Sequence, residues 1–152
     1  MTTRDTVIRA HVERADGFRF DVTFPDLDRV APLTVDEDVP LGAGAGPNPA
    51  ALLATAVGTC LAASLVFCLR KARVEPAAVT ADASARIVRN DRGRFRIGGI
   101  DVELSLSLAE ADRAAFDRCQ PLFEDFCIVT ESVRQGVPVQ VRLAAREPAS
   151  AR

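Results

Sequence analysis

Four cysteines, Cys60, Cys68, Cys119 and Cys127, carry most of the reactive chemistry in this chain. A thiolate attacks the O–O bond of a peroxide and becomes a sulfenic acid, and a nearby second thiol can condense with it to a disulfide. The second step needs the two Cα atoms within about 7 Å. No two of the four stand as C-x-x-C, and His11 is the only histidine. The spacing of a zinc set is therefore missing, and neither a metal nor a cofactor is expected. The plain alternative is that these are core residues, since cysteine is among the residue types most often buried and most buried cysteines are inert.

Cys60 lies in the middle of PNPAALLATAVGTCLAASLVFCLRK, residues 47–71, which has no charge before Arg70. Asn48 is a good N-cap and Pro49 suits the first helical position. Arg70, Lys71 and Arg73 put cations at the end, where the helix dipole favours them, and Pro76 stops the helix. Its length fits a bilayer, but its richness in Ala, Thr, Ser and Gly argues for a core helix. So do the amphipathic strands around it, which need an apolar surface to cover. A chain of 152 residues can scarcely surround such a helix alone. Burial against a second copy solves that problem, so a homodimer is expected and a membrane span is not.

The flanking segments alternate. Phe18, Phe20, Val22 and Phe24 share one face of a strand, with Arg19, Asp21 and Thr23 on the other. An earlier strand, about residues 7–13, reaches it through a turn at Ala15, Asp16 and Gly17, and a short one is expected over 33–35. The acidic run Asp36, Glu37 and Asp38 reads as a solvated loop. Gly42, Gly44 and Gly46 follow it, without the Lys-Ser/Thr of a phosphate loop. After the helix, Val79, Ala81, Ala83, Ala85 and Ile87 alternate. A turn at residues 90–93 leads to Ile100, Val102, Leu104, Leu106 and Leu108, which alternate again. Ser107 to Glu110 spells a capping box for a second helix, which Pro121 ends or kinks. A third helix runs from near Cys127 to Gly136. Val137, Val139, Val141 and Leu143 make a last strand.

Composition fits one domain over 1–152, with a core over about 7–143 and a frayed tail over 144–152. The chain is 48% hydrophobic and 26% charged, with a net charge of −2, too little positive surplus for nucleic-acid binding. Its polar N-terminus lacks the apolar stretch of a signal peptide, so the chain is expected in the cytoplasm with its thiols reduced at rest.

Gly46-Pro47-Asn48-Pro49, Cys60, Cys127-Ile128-Val129-Thr130 and Gly136-Val137-Pro138-Val139, in this element order, resemble the OsmC/Ohr family: osmotically inducible protein C and the organic hydroperoxide resistance proteins. The resemblance covers roughly residues 7–143. It implies an α+β fold of the order β3-α-β2-α2-β, in an intertwined homodimer with long central helices buried between sheets and active sites at the subunit interface. It also implies reduction of organic hydroperoxides, with Cys60 as the attacking thiolate, Cys127 as the resolving thiol and a dithiol, in relatives a lipoyl group, as reductant.

In that family an arginine near the sulfur, held by a glutamate at the start of the long helix, activates the cysteine. Arg19 is the candidate for the arginine. The glutamate position reads Ala50-Ala51 instead, and Glu37, Asp38, Glu124 and Glu131 are the possible stand-ins. Leu53, Val57 and Phe67 are expected to line the substrate pocket, and Cys68 and Cys119 to be core. Three readings follow: a thiol peroxidase, a relative with altered chemistry that binds an apolar small molecule at the interface, and a dimeric module with no ligand.

Overall fold

A computed structural model describes residues 5–145. The elements are β1 (His11–Asp16), β2 (Arg19–Thr23), β3 (Leu33–Val35), α1 (Pro49–Lys71), β4 (Ala78–Arg89), β5 (Phe95–Ser107), α2 (Arg113–Cys119) and α3 (Ile128–Gln135). Short 3-10 turns at Glu110–Asp112 and Phe123–Phe126 lead into α2 and α3. Strands β1, β2 and β3 form one antiparallel sheet in that order, and β4 pairs with β5 in a second. This is the mixed α+β arrangement expected from the sequence, up to the end of α3.

The spine is α1, and its ends follow from its sequence. Asn48 Oδ1 accepts the Ala51 N–H at 2.9 Å, and Pro49 opens the helix. At the other end Arg73 takes a left-handed conformation, φ 62°. Val74 N–H then reaches Leu69 O at 3.0 Å and Arg73 N–H reaches Arg70 O at 2.9 Å. Those are the two bonds of a Schellman end, with arginine where glycine is usual. Val74 packs with Leu65, Leu69 and Ala115 in one core cluster.

The alanines of β4 have a packing reason. Gly58 of α1 faces them, and a Cβ there would stand 3.0 Å from Ala83 Cβ and 3.8 Å from that of Ala81. Small residues on both sides let helix and strand approach closely. Gly58→Leu is expected to force them apart, costing about 2 kcal/mol. Thermal unfolding followed by circular dichroism should show a melting temperature lower by roughly 5 °C.

Four expectations are corrected. The first strand starts at His11, not near residue 7, and runs on to Asp16. Ser107 ends β5 and caps nothing; the turn after it starts at Glu110 with no side-chain cap. The last strand does not form: residues 137–143 carry no ladder bonds, and Val139 and Leu143 are 83% and 97% exposed. A strand is stable only against a neighbour, and among the described residues none pairs with that segment. Finally, Cys68 and Cys119 are core residues, 8% and 3% exposed, but they are not both free thiols. They form a disulfide, with Cα atoms 5.8 Å apart, that ties the end of α1 to the end of α2. The pairing depends on how α2 docks, which the sequence spacing did not reveal. The frayed tail expected over 144–152 lies almost wholly outside the described residues.

Candidate active site

The loop before α1 is ordered by a carboxylate. Asp36 is only 2% exposed, against the expectation of a solvated acidic run. Its Oδ1 accepts the Glu37 N–H at 2.9 Å, and its Oδ2 accepts those of Ala43 and Ala45, each at 3.1 Å. The glycine-rich loop thus spends its amides on its own aspartate, the role a phosphate would take in a phosphate loop. Asp38 accepts from Asn48 Nδ2 at 2.9 Å and so joins the loop to the start of α1.

The Ala45 amide, then those of Ala43 and Glu37, together with the charge of Arg19, outweigh burial and hold the Asp36 carboxyl below its ordinary value of 3.8. A depressed carboxyl contributes stability above its unfolded value and loses that contribution as pH falls through the folded one. Asp36→Asn should therefore melt earlier than the parent at pH 7. The gap should begin to narrow as pH falls below about 4. It should close only once pH has passed the depressed folded value, where the parent carboxyl is itself protonated. Melting curves across pH 2–7, on the order of one unit apart, check this.

The two remaining thiols meet where α1 passes the start of α3. Cys127 is 1% exposed and clusters with Val57 and Leu61, with Cys60 packed against the same cluster. Cys127 caps α3: its Sγ accepts the Thr130 N–H at 3.4 Å and lies 2.9 Å from Thr130 Oγ1. The Ser64 hydroxyl also reaches it. Cys60 packs against the cluster that holds Cys127, and the Ile128 and Val129 amides bear on its sulfur.

These contacts divide the pair. Burial pushes the Cys60 thiol up, and the contact with Cys127 adds to that, against the downward pull of the Val129 and Ile128 amides. Burial acts upward on Cys127 too. There, hydrogen bonds from Cys60, from the Thr130 hydroxyl and amide, and from Ser64 outweigh it, and the thiol lies below its ordinary value. Of the two thiols, Cys127 is the one that gives up its proton more readily.

Two cavities flank this point. Cys60 opens into a cleft of about 430 Å³ with Ala63, Ser64, Phe67, Phe126 and Ile128. Phe67 and Phe126 meet edge to face at 5.3 Å, and Lys71 Nζ stands 4.7 Å and 5.1 Å from their centroids. Leu53 and Val57 instead line a larger cavity of about 550 Å³, between α1, β5 and α3. Thr130, Glu124 and Arg134 also border it, and Arg134 holds Glu124 at 2.6 Å and Glu131 at 2.7 Å. Phe67 therefore shares a cavity with Cys60, and Leu53 and Val57 do not.

Arg19 is elsewhere. Its guanidinium pairs with Asp16 at 3.3 Å and borders a cleft with Asp36 and Leu41. The sheet carrying it makes no extended contact with α1 in one chain. Sequence reasoning missed Ser64 and Thr130. Both were findable: Ser64 is one turn beyond Cys60 on the same helix face, and Thr130 is the third residue after its cap, where the sulfur meets its amide.

The family whose model matches, over residues 42–142, is described as OsmC-like protein. Among solved structures the chain is similar to an OsmC-like protein of unknown function from Vibrio cholerae: TM-score 0.72, 13% identity, covering 84% of this chain and 94% of that one. It is also similar to an organic hydroperoxide resistance protein OsmC from Legionella pneumophila, with TM-score 0.63, 15% identity and coverage of 85% and 90%. The organic hydroperoxide resistance protein OhrB of Bacillus subtilis gives 0.58, 19%, and coverage of 86% and 93%. At these identities the likeness is one of fold. No curated protein sequence matches.

Proposed function

The chain belongs to the family of OsmC-like proteins, and on that premise we propose that it is a thiol peroxidase acting on organic hydroperoxides. Cys60 attacks the O–O bond, releases the alcohol and becomes a sulfenic acid. Cys127 condenses with it, releasing water and leaving a Cys60–Cys127 disulfide, and an external dithiol such as a lipoyl group restores the two thiols. One observation carries the reading: an accessible thiol at the edge of an apolar cleft, in contact with a buried thiol that can resolve it. The names of two similar structures support a redox, peroxide-related role. The apolar lining of the Cys60 cleft favours organic over hydrogen peroxide.

The working form in this reading is a cytoplasmic homodimer. The exposed apolar residues of 137–143 and the sheet β1–β3, which stands off α1, are then covered by the second copy. Rapid mixing of the reduced protein with cumene hydroperoxide and with hydrogen peroxide tests the activity, with thiol loss as readout because the chain has no tryptophan. Oxidation much faster than that of free cysteine, and faster with the organic peroxide, supports it. Oxidation at the rate of free cysteine contradicts it.

Ala50 and Ala51, where the resembled family has its glutamate, together with the 550 Å³ cavity favour a second reading, in which the chain holds an apolar small molecule. Native mass spectrometry of the purified dimer would then show a co-purifying mass that organic solvent removes.

A further inference from the structure

Cys60 opens into the cleft, and burial with the contact to Cys127 makes its thiol harder to deprotonate, so an attack on peroxide needs a base. No glutamate stands at the start of α1, Arg19 is tied to Asp16, and α1 carries no charged side chain between Pro49 and Arg70. The strand packed on the pair presents Ile100, Val102 and Leu104. The nearby charges of the other packed elements, Glu124, Glu131 and Arg134, are engaged with one another, and Lys71, over Phe67 and Phe126, brings a cation and not a carboxylate. The group that does touch the Cys60 sulfur is Cys127.

We propose that Cys127 is the general base for Cys60 as well as its resolving thiol, and that the start of α3 replaces the arginine–glutamate pair. The geometry supplies each part. Cys127 Sγ is buried, caps α3 through the Thr130 amide, and lies 2.9 Å from a hydroxyl that can turn to donate to a thiolate. The Ile128 and Val129 amides face the other sulfur, so the charge is stabilised wherever it sits in the pair.

The step balances as follows. The Cys127 thiolate takes the proton of Cys60 as the Cys60 sulfur attacks the outer oxygen of ROOH. The O–O bond breaks, and the leaving alkoxide takes the proton from Cys127. This gives ROH, a Cys60 sulfenic acid and a Cys127 thiolate. That thiolate then attacks the sulfenic sulfur and expels hydroxide, and the sulfur oxidised by two electrons ends in the disulfide.

The inference rests on the peroxidase reading, and the test separates the two. The rate of the first step, Cys60 sulfenate formation trapped with dimedone and read by peptide mass, is measured against pH for the parent, Cys127→Ser and Thr130→Val. Thr130→Val keeps both thiols and removes only the hydroxyl at the Cys127 sulfur. The expected result is a roughly 100-fold slower first step in Cys127→Ser at pH 7, recovering as pH rises. For Thr130→Val the whole pH profile shifts upward while the disulfide still forms. If Cys127→Ser forms sulfenate as fast as the parent with an unchanged profile, Cys127 only resolves and the inference is overturned. An unshifted Thr130→Val profile also overturns it. A parent no faster than free cysteine would instead sink the peroxidase reading itself.

Discussion

Replacing Cys60 by serine will slow the reaction with an organic hydroperoxide by about 1,000-fold or more, the loss expected when a nucleophile is removed. The effect should be specific to chemistry. Cys60 is only partly buried and serine is close in size, so the variant should keep its fold and melting temperature. Cys127 should remain a free thiol in it, since its partner in the disulfide is gone. Peroxide consumption in single turnover, set beside the far-ultraviolet circular dichroism of the variant, checks both halves. A Cys60→Ser protein that still consumes organic hydroperoxide at the parent rate would move the chemistry to another thiol.

The second large effect is on stability. The Cys68–Cys119 disulfide closes a loop with a sequence separation of 51, spanning the end of α1, both strands of the second sheet and α2. By the loop-entropy relation such a link stabilises by about 4 kcal/mol. Removing it in the Cys68→Ala, Cys119→Ala double variant should lower the melting temperature by roughly 10 °C. Peroxide reactivity should survive below that temperature. The two sulfur pairs belong to different core clusters, against both of which Leu104 and Phe123 pack. Titration of protein unfolded without reductant should find two free thiols, and four only when it is unfolded and reduced. In the proposed cytoplasmic setting such a disulfide is unusual. Its burial keeps thiol reductants from reaching it.

Much of this fold was legible where a signal is local. Asn48, Pro49 and the closing cations marked the ends of α1 because helix caps and dipoles act within a turn. The alternation in β4 and β5 marked a sheet with one apolar face. Cys60 and Cys127 were singled out by the sequences around them, and contact between their thiols follows from the docking of α3 on α1. Where the sequence misled, the deciding contact was remote or came from outside the chain. Asp36 reads as solvated until the loop folds its amides round it. Cys68 and Cys119 read as inert until α2 docks. Residues 137–143 read as a strand because they alternate, but alternation supplies no neighbour. Leu53 and Val57 share α1 with Phe67, yet the helix turns them into another cavity, which spacing alone could have warned of.

The most direct test of the central claim is peptide mass mapping, without reduction, of protein treated with one equivalent of cumene hydroperoxide. The account predicts a new Cys60–Cys127 bridged peptide, one equivalent of alcohol released, and a Cys68–Cys119 peptide already present before treatment and unchanged by it. Cys60 and Cys127 both still free after the peroxide is consumed, or either of them bridged to Cys68 or Cys119, would contradict it.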